Sequence, residues 1–320
     1  MTLLSLKSSA KLSLNLGQIA VFCTLLLVAV FLDLVTFPHT LEDAFITFRY
    51  SEHLSEGYSL GAWNTTGDIV EGYSTTLWML VLALGNYIGI SVLTLSKLLG
   101  IVCHLTLITL LFFPTKSMQD LFRSETVSQK QEILIFQLCS AMYALYFPIS
   151  FYATSGMETI AFVFLSMYML VIPYPKRLTV SLSIAAACLV LLRPEGILVA
   201  IACGVFHVLR FHINHQDSRP VLTALGVSIV TFLALTIFRL LYYDSLFPNT
   251  YYAKMAEGGV NHLWLGTKYV GRWVLMHPPM VGVLVPIAVL ELRKVFRFRQ
   301  FLKSRQPLMP VFLVLFALAY

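Results

Sequence analysis

Charge is what this chain has least of. Only 12% of its 320 residues are Asp, Glu, Lys or Arg, against roughly 25% in a soluble domain. With 58% hydrophobic residues, that scarcity excludes a soluble globular domain and points to a polytopic membrane protein. Cysteine is scarce too. Cys23, Cys103, Cys139, Cys188 and Cys203 all lie inside apolar runs. None has metal-ligand spacing, so they read as small packing residues without a disulfide. There is no internal repeat, low-complexity tract or glycine-rich phosphate loop. The GYSLG at 57–61 lacks the strand and helix that such a loop needs. The net charge of +6 is not a nucleic-acid signal, because in a membrane protein the placement of basic residues matters more than their sum.

What is present is a series of apolar runs: about 18–32, 77–93, 97–113, 133–150, 159–173, 178–192, 196–210, 221–241, 273–291 and 307–320. Lys7 and Lys11 precede the first, and no small-x-small site precedes Asp33, so it reads as an uncleaved signal anchor. If every run crossed, Lys116–Lys130 and Lys176–Arg177 would fall outside, against the positive-inside rule. If 77–93 does not cross, those residues, Arg210, Arg219 and the cluster at 293–305 all fall inside. Gly85, Asn86 and Gly89 make that run a poor spanning helix. The expectation is a single all-α domain over 1–320, with about nine transmembrane helices and the N-terminus inside. Residues 33–96 form the first outer loop, with juxtamembrane helices. The apolar ending Val311–Tyr320 has no polar tail, so a further C-terminal part is expected beyond it.

Four segments then share the outer face: 33–96, 151–158, 193–196 and 242–272. The first is acidic, with Asp33, Glu42, Asp43, Glu52, Glu56, Asp68 and Glu71 against Arg49 alone. Thr40 followed by Asp43 has the form of a helix N-cap with an acid at the third position. A helix over 41–55 would put Phe45, Ile46 and Phe48 toward the membrane. It would put Glu42, Ile46, Arg49 and His53 on one face. Acids in a first turn can simply complement the helix dipole. Carboxylates set against an apolar surface also have raised pKa values and suit base work. In the second segment, Thr154 or Ser155 could cap the next helix with Glu158 in its first turn. In the third, Arg193-Pro194-Glu195 reads either as a tight turn or as charges that are costly at a membrane edge unless used. In the fourth, Tyr242 and Tyr243 fit an interfacial belt, while Asn249, Tyr251 and Lys254 suit recognition. Cations at a lipid interface would be partners for phosphate. His104 reads as a satisfied packing residue. His212 and His215 lack an acidic ligand for zinc. Asn64-Thr65-Thr66 is a weak glycosylation pattern.

Five motifs then stand in order on that face: EDAFITFRY at 42–50, EGYSTTLW at 71–78, ATSGMET at 153–159, LLRPEG at 191–196 and FPNTYYAK at 247–254. Together they resemble the bacterial C-type (GT-C) glycosyltransferases of the AftB-like arabinofuranosyltransferase group, over about residues 42–254. That family takes sugar from a polyprenyl-phosphate donor outside the cytoplasmic membrane. The resemblance implies Asp43 as catalytic carboxylate with Glu42 beside it. It also implies Glu158 as a second acid, and Arg193 and Lys254 on the donor phosphate. Arg49, Glu195, Asn249 and Tyr251, read from their own outer segments, complete the expected substrate site. The family commonly has two aspartates where this chain has Glu42 and Asp43, which leaves open which of the pair acts. A divalent ion between Glu42, Asp43 and Glu158 is conceivable, but nothing demands it, so no cofactor is expected. The partners implied are the lipid-linked donor, a glycan or other envelope acceptor, and the bilayer of a bacterial inner membrane. Two other readings stay open: a transporter or lipid flippase, which should carry polar groups at mid-bilayer, and a non-catalytic membrane scaffold.

Overall fold

The computed structural model describes residues 15–67, 69–115, 118–119, 128–171, 179–213, 217–255 and 260–276. These residues form helices α1 (Leu16–Thr36), α2 (Glu42–Ser55), α3 (Thr76–Tyr87), α4 (Val92–Phe112), α5 (Gln129–Leu145), α6 (Phe147–Thr154), α7 (Thr159–Val171), α8 (Thr179–Leu192), α9 (Gly196–Ile213), α10 (Arg219–Tyr243), α11 (Asn249–Met255) and α12 (Val260–Met276). Among them the only strand-like pairing is an isolated bridge, Ala62 to Ile69.

α1, α4 and α10 are long and apolar enough to cross a membrane, and α5 with α6 would make a fourth crossing if the bent pair is one span. α7, α8 and α9 are apolar but shorter, below the roughly 20 residues of an upright crossing. The runs at 277–291 and 307–320 lie outside the described residues, as do Lys116, Arg123, Lys176, Arg177 and the basic cluster at 293–305.

The run at 77–93 is not one helix. Its first part is α3, 12 residues and so about 18 Å long, too short for a hydrocarbon core of about 30 Å. A turn through Gly89 (φ +89°) ends it, and the rest opens α4, capped by Ser91, whose Oγ accepts the Thr94 N–H at 3.4 Å. The run at 133–150 is also broken. Tyr146 is extended (φ −84°, ψ 101°), and α6 leaves α5 at 61°. Pro148 is the reason: it has no N–H to give and would clash inside a helix, but it is tolerated in a first turn.

α2 begins one residue later than its sequence signals suggest. Leu41 is the N-cap, without a side-chain cap, and Glu42 and Asp43 occupy the first turn. Phe48 is buried in the main core with Ala44 and Trp78, while Phe45 stays exposed. Ile46 packs instead on a second small cluster of Tyr50, Tyr73 and Met79.

The main core runs between α1, α4, α5, α6, α7, α8 and α9. α4 and α6 approach so closely that a Cβ on Gly100 would strike the Ala153 carbonyl. Polar groups pin these helices together. His104 of α4 lies 3.0 Å from Asp33 of α1, both buried. Asp33 therefore belongs to the last turns of a helix and not to the outer loop. Thr154 donates to Thr36 at 2.8 Å. Lys97 is buried and donates to the carbonyls of Phe37 and His39, with its ammonium over the Phe37 ring. The interior of the bundle is thus more polar than the apolar runs suggest.

These contacts also fix direction. The end of α1, the start of α4, the α6–α7 turn, the α8–α9 turn and the end of α10 lie at one end of the bundle. Described residues from each of the four sequence segments assigned to one face lie there, the fourth through Tyr243 and Asn249.

Candidate functional site

The centre of that end is the α6–α7 turn, Ser155-Gly156-Met157-Glu158. Its backbone is held on several sides. The Leu41 N–H donates to the Ser155 carbonyl at 3.0 Å, and the Trp78 Nε1–H to the Gly156 carbonyl at 3.0 Å. Ser155 Oγ accepts the Met157 N–H at 3.2 Å. Gly156 has φ +86°, and a Cβ there would meet the Phe48 ring at 2.7 Å. Both conformation and space therefore require glycine at this position. The start of α2 lies directly on the turn.

Glu158 follows, just ahead of α7, its carbonyl accepting the Phe162 N–H at 2.9 Å. It stands before the helix, and not inside its first turn as the sequence suggests. Its side chain is 2% exposed, and Arg193 Nη1 lies 3.5 Å from Oε1. Arg193 comes from the α8–α9 turn, where its carbonyl accepts the Gly196 N–H at 2.9 Å. α9 starts at Gly196, so Pro194 and Glu195 belong to the turn and not to the helix. Arg193 makes its shorter contact with Glu195, Nε to Oε1 at 2.7 Å, and sits over the Phe162 ring at 5.7 Å. Among the described residues Glu158 Oε2 has no hydrogen-bond partner. Burial pushes the Glu158 carboxyl above its usual range. The Arg193 charge and the backbone pull it back, and the charges of Glu195 and Asp43 push it up again. Asp43 is thus near enough to act on Glu158 through its field, while it and Glu42 stay exposed.

A second cluster lies on the other face of α2. Glu71, in the loop before α3, is buried against Arg239 of α10, whose Nε donates to both carboxylate oxygens at 3.0 and 2.8 Å. Burial pushes the Glu71 carboxyl up, and the Arg239 hydrogen bond and charge draw it back without restoring it. The Glu71 carbonyl accepts the Asn249 N–H at 2.9 Å. The Tyr73 and Tyr243 hydroxyls meet at 3.0 Å. Tyr50 donates to the Val70 carbonyl at 2.9 Å and accepts the Gly72 N–H at 3.1 Å. The loop is therefore fastened to α2 at one side and to the end of α10 at the other.

The structure brings Asp43, Glu158, Arg193 and Glu195 together from three separate segments. It places the other expected site residues elsewhere. Arg49 is taken up by the loop, donating to the Trp63 carbonyl at 2.7 Å and to Asn64 Oδ1 at 3.3 Å, with its guanidinium over the Trp63 ring. Asn249 engages Glu71 through its backbone. Tyr251 is exposed and packs on the Phe247 ring at 4.5 Å. Lys254 lies on α11, and its side chain is outside the described residues. Among the described residues no three His, Cys, Asp or Glu side chains stand together as a group able to hold a metal ion, so Glu42, Asp43 and Glu158 do not converge that way.

Sequence reasoning missed the Glu71–Arg239 pair and the partners of Lys97 and His104. Each joins residues more than 50 positions apart, and only one signal was available. A lone charge inside an apolar run must find a partner, which made Arg239 worth pairing with an acid of the loop.

The class these features define is a helical membrane protein: among the described residues three helices, or four, are fit to cross a membrane, with a carboxyl–guanidinium cluster at one end. No family model matches the chain, and no curated protein and no solved structure is significantly similar to it.

Proposed function

We propose that the protein is a membrane glycosyltransferase of the C type. It moves a sugar from a polyprenyl-phosphate donor to a hydroxyl of a glycan or other envelope acceptor. In this reading the described helices belong to a bundle of about nine spans in a bacterial cytoplasmic membrane, with the site end outside. The observation that carries the reading is the gathering of Asp43, Glu158, Arg193 and Glu195 at one end of the bundle. Three of the five motifs that resemble the family contribute to it.

In the reaction, the exposed carboxylate of Asp43, with Glu42 beside it, takes the proton of the acceptor hydroxyl. The hydroxyl oxygen bonds to the sugar C1 as the C1–O bond to phosphate breaks. Arg193, joined by Lys254, meets the charge that grows on the departing phosphate, an interaction worth a few kcal/mol per well-placed donor. Loop 33–96 covers the site. Membranes containing the protein and fed with lipid-linked sugar test this. Asp43→Asn should lower transfer by about 10²–10⁴, the usual share of a general base, while the protein still inserts and purifies normally. Full transfer by that variant would sink the assignment.

One observation favours transport instead: Asp33 and His104 form a buried polar pair between two apolar helices, the kind of group transporters use. Substrate uptake into vesicles, abolished by His104→Ala and untouched by Asp43→Asn, would carry that reading.

A further inference from the structure

The cluster at the site end has a charge problem when a phosphate is its ligand. Two carboxyl groups, Glu158 and Glu195, contact one guanidinium, and the charge of a third, Asp43, acts on Glu158. Fully ionised, they would repel the donor more than Arg193 attracts it. Among the described residues no other titratable group acts on Glu158: the nearby Trp78 indole of α3 is given to the Gly156 carbonyl, and α7 places the Phe162 ring beneath Arg193.

The three carboxyls differ in burial and in partners. Glu195 is 43% exposed and takes the shorter contact from Arg193, at 2.7 Å. Asp43 is exposed to water. Glu158 is 2% exposed, takes the longer contact from Arg193 at 3.5 Å beside a backbone hydrogen bond, and has one oxygen, Oε2, that no described group satisfies. An ionised carboxylate so placed would lack hydrogen bonds that it could have in water. As a neutral acid, it is a donor looking for an acceptor.

We propose that Glu158 is kept protonated at neutral pH and donates its hydrogen bond to a phosphate oxygen of the lipid-linked donor, making it a catalytic residue beside Asp43. This rests on the transfer reading. Glu158 keeps its proton throughout. The C1–O bond gives its electron pair to the phosphate oxygen, Asp43 takes the acceptor proton, and the Glu158 O–H strengthens its hold as the phosphate gains charge. The raised carboxyl described above agrees with this role. Arg193, paired to Glu195, then meets the phosphate without surrendering a partner to Glu158.

Infrared spectroscopy of the purified protein in lipid reads the proton directly. A protonated-carboxyl band should be present at neutral pH in the wild type and missing in Glu158→Gln. It should shift when a short-chain prenyl phosphate is added, and not when the matching prenol is added. Inorganic phosphate separates the headgroup from the lipid: a shift with it alone means that the phosphate suffices. In transfer assays Glu158→Gln, still a neutral donor, should lose clearly less activity than Glu158→Ala and should lose the fall in rate at alkaline pH. Glu158→Ala should lose about 10²–10³, the usual effect of removing one such donor. The absence of the band, as an ionised Glu158 balanced by a cation would give, overturns the proposal. So does a band indifferent to prenyl phosphate, or a Gln variant as poor as Ala. If the wild type transfers no sugar while the band responds to prenyl phosphate, the transfer reading fails and the phosphate-binding acid stands.

Discussion

Replacing Arg239 with methionine should loosen the loop between α2 and α3 without unfolding the bundle. The pair it breaks is bifurcated, with the one Nε 3.0 and 2.8 Å from the two oxygens of Glu71, and the two side chains are 3% and 4% exposed. Removing one partner of such a pair leaves an uncompensated buried charge, at a cost of about 3–5 kcal/mol. Each 1.4 kcal/mol is a factor of about ten, so the ceiling is roughly 10²–10³ in the equilibrium for opening the loop. The real figure falls below the ceiling, because Glu71 can escape the cost by taking a proton, toward which burial already biases it, or by swinging out with the loop. Limited proteolysis of the reconstituted protein reads this equilibrium, since cleavage at the Asn64–Gly67 tip tracks the open population when closing is fast. The Arg239→Met rate should rise by tenfold or more, with the long helices still protected. The double variant Glu71→Leu/Arg239→Met should recover most of the protection, because an apolar pair of similar volume replaces a desolvated ion pair at little net cost. A single variant cut at the wild-type rate, or a double variant no better than the single, would refute this account of the loop.

Other perturbations follow from the same contacts. Gly156→Ala forces a side chain onto a backbone at φ +86° and into the Phe48 ring; it should cost about 1–3 kcal/mol, seen as a lower melting temperature in detergent, and a wild-type value would contradict it. Glu158 has a folded-state pKa above its unfolded value, so its contribution to stability is present in acid and lost as pH rises through the folded value. Thermal melts of Glu158→Gln should therefore gain on wild type toward alkaline pH and not toward acid. Lys97→Met removes the donor to the Phe37 and His39 carbonyls. Leaving those acceptors unpaired costs about 1–3 kcal/mol, and a spin-label pair across the α1–α2 connector should show broadened distances, with Lys97→Arg falling between Met and wild type.

How much of this was legible in the sequence varied by residue. Length and composition were enough for the helical class, because apolar runs with so little charge have no soluble alternative. Parity of the basic loops marked 77–93 as the odd run; its helix α3 has 12 residues, but α7 and α8, with 13 and 14, are hardly longer, so length does not single it out. Arg193 and Glu158 were singled out from separate motifs, and they meet. Arg49 misled because a cation among acids looks like a ligand, whereas its guanidinium is claimed by a Trp63 carbonyl and ring. Phe48 misled because one turn of helix separates the membrane side from the core side, and the packed glycine that decides between them lies about a hundred residues on. The bend at Tyr146 was written locally in Pro148, but a run of apolar residues on both sides hid it.

Lys97 turns the bundle into a ruler. By gripping the carbonyls on either side of Pro38, it removes the slack between a helix of membrane-crossing length and the acids at its exit. Glu42 and Asp43 begin six and seven residues beyond the last residue of α1, and the peptide before them is tied to the α6–α7 turn. If α1 crosses the membrane as proposed, Glu42 and Asp43 then have a fixed height near the level where acyl chains give way to headgroups. A bond to be broken there must stand at that same height. The phosphate of a membrane-anchored lipid meets this condition by its own anatomy, whereas a water-soluble nucleotide sugar would have to be lowered to the surface and held there.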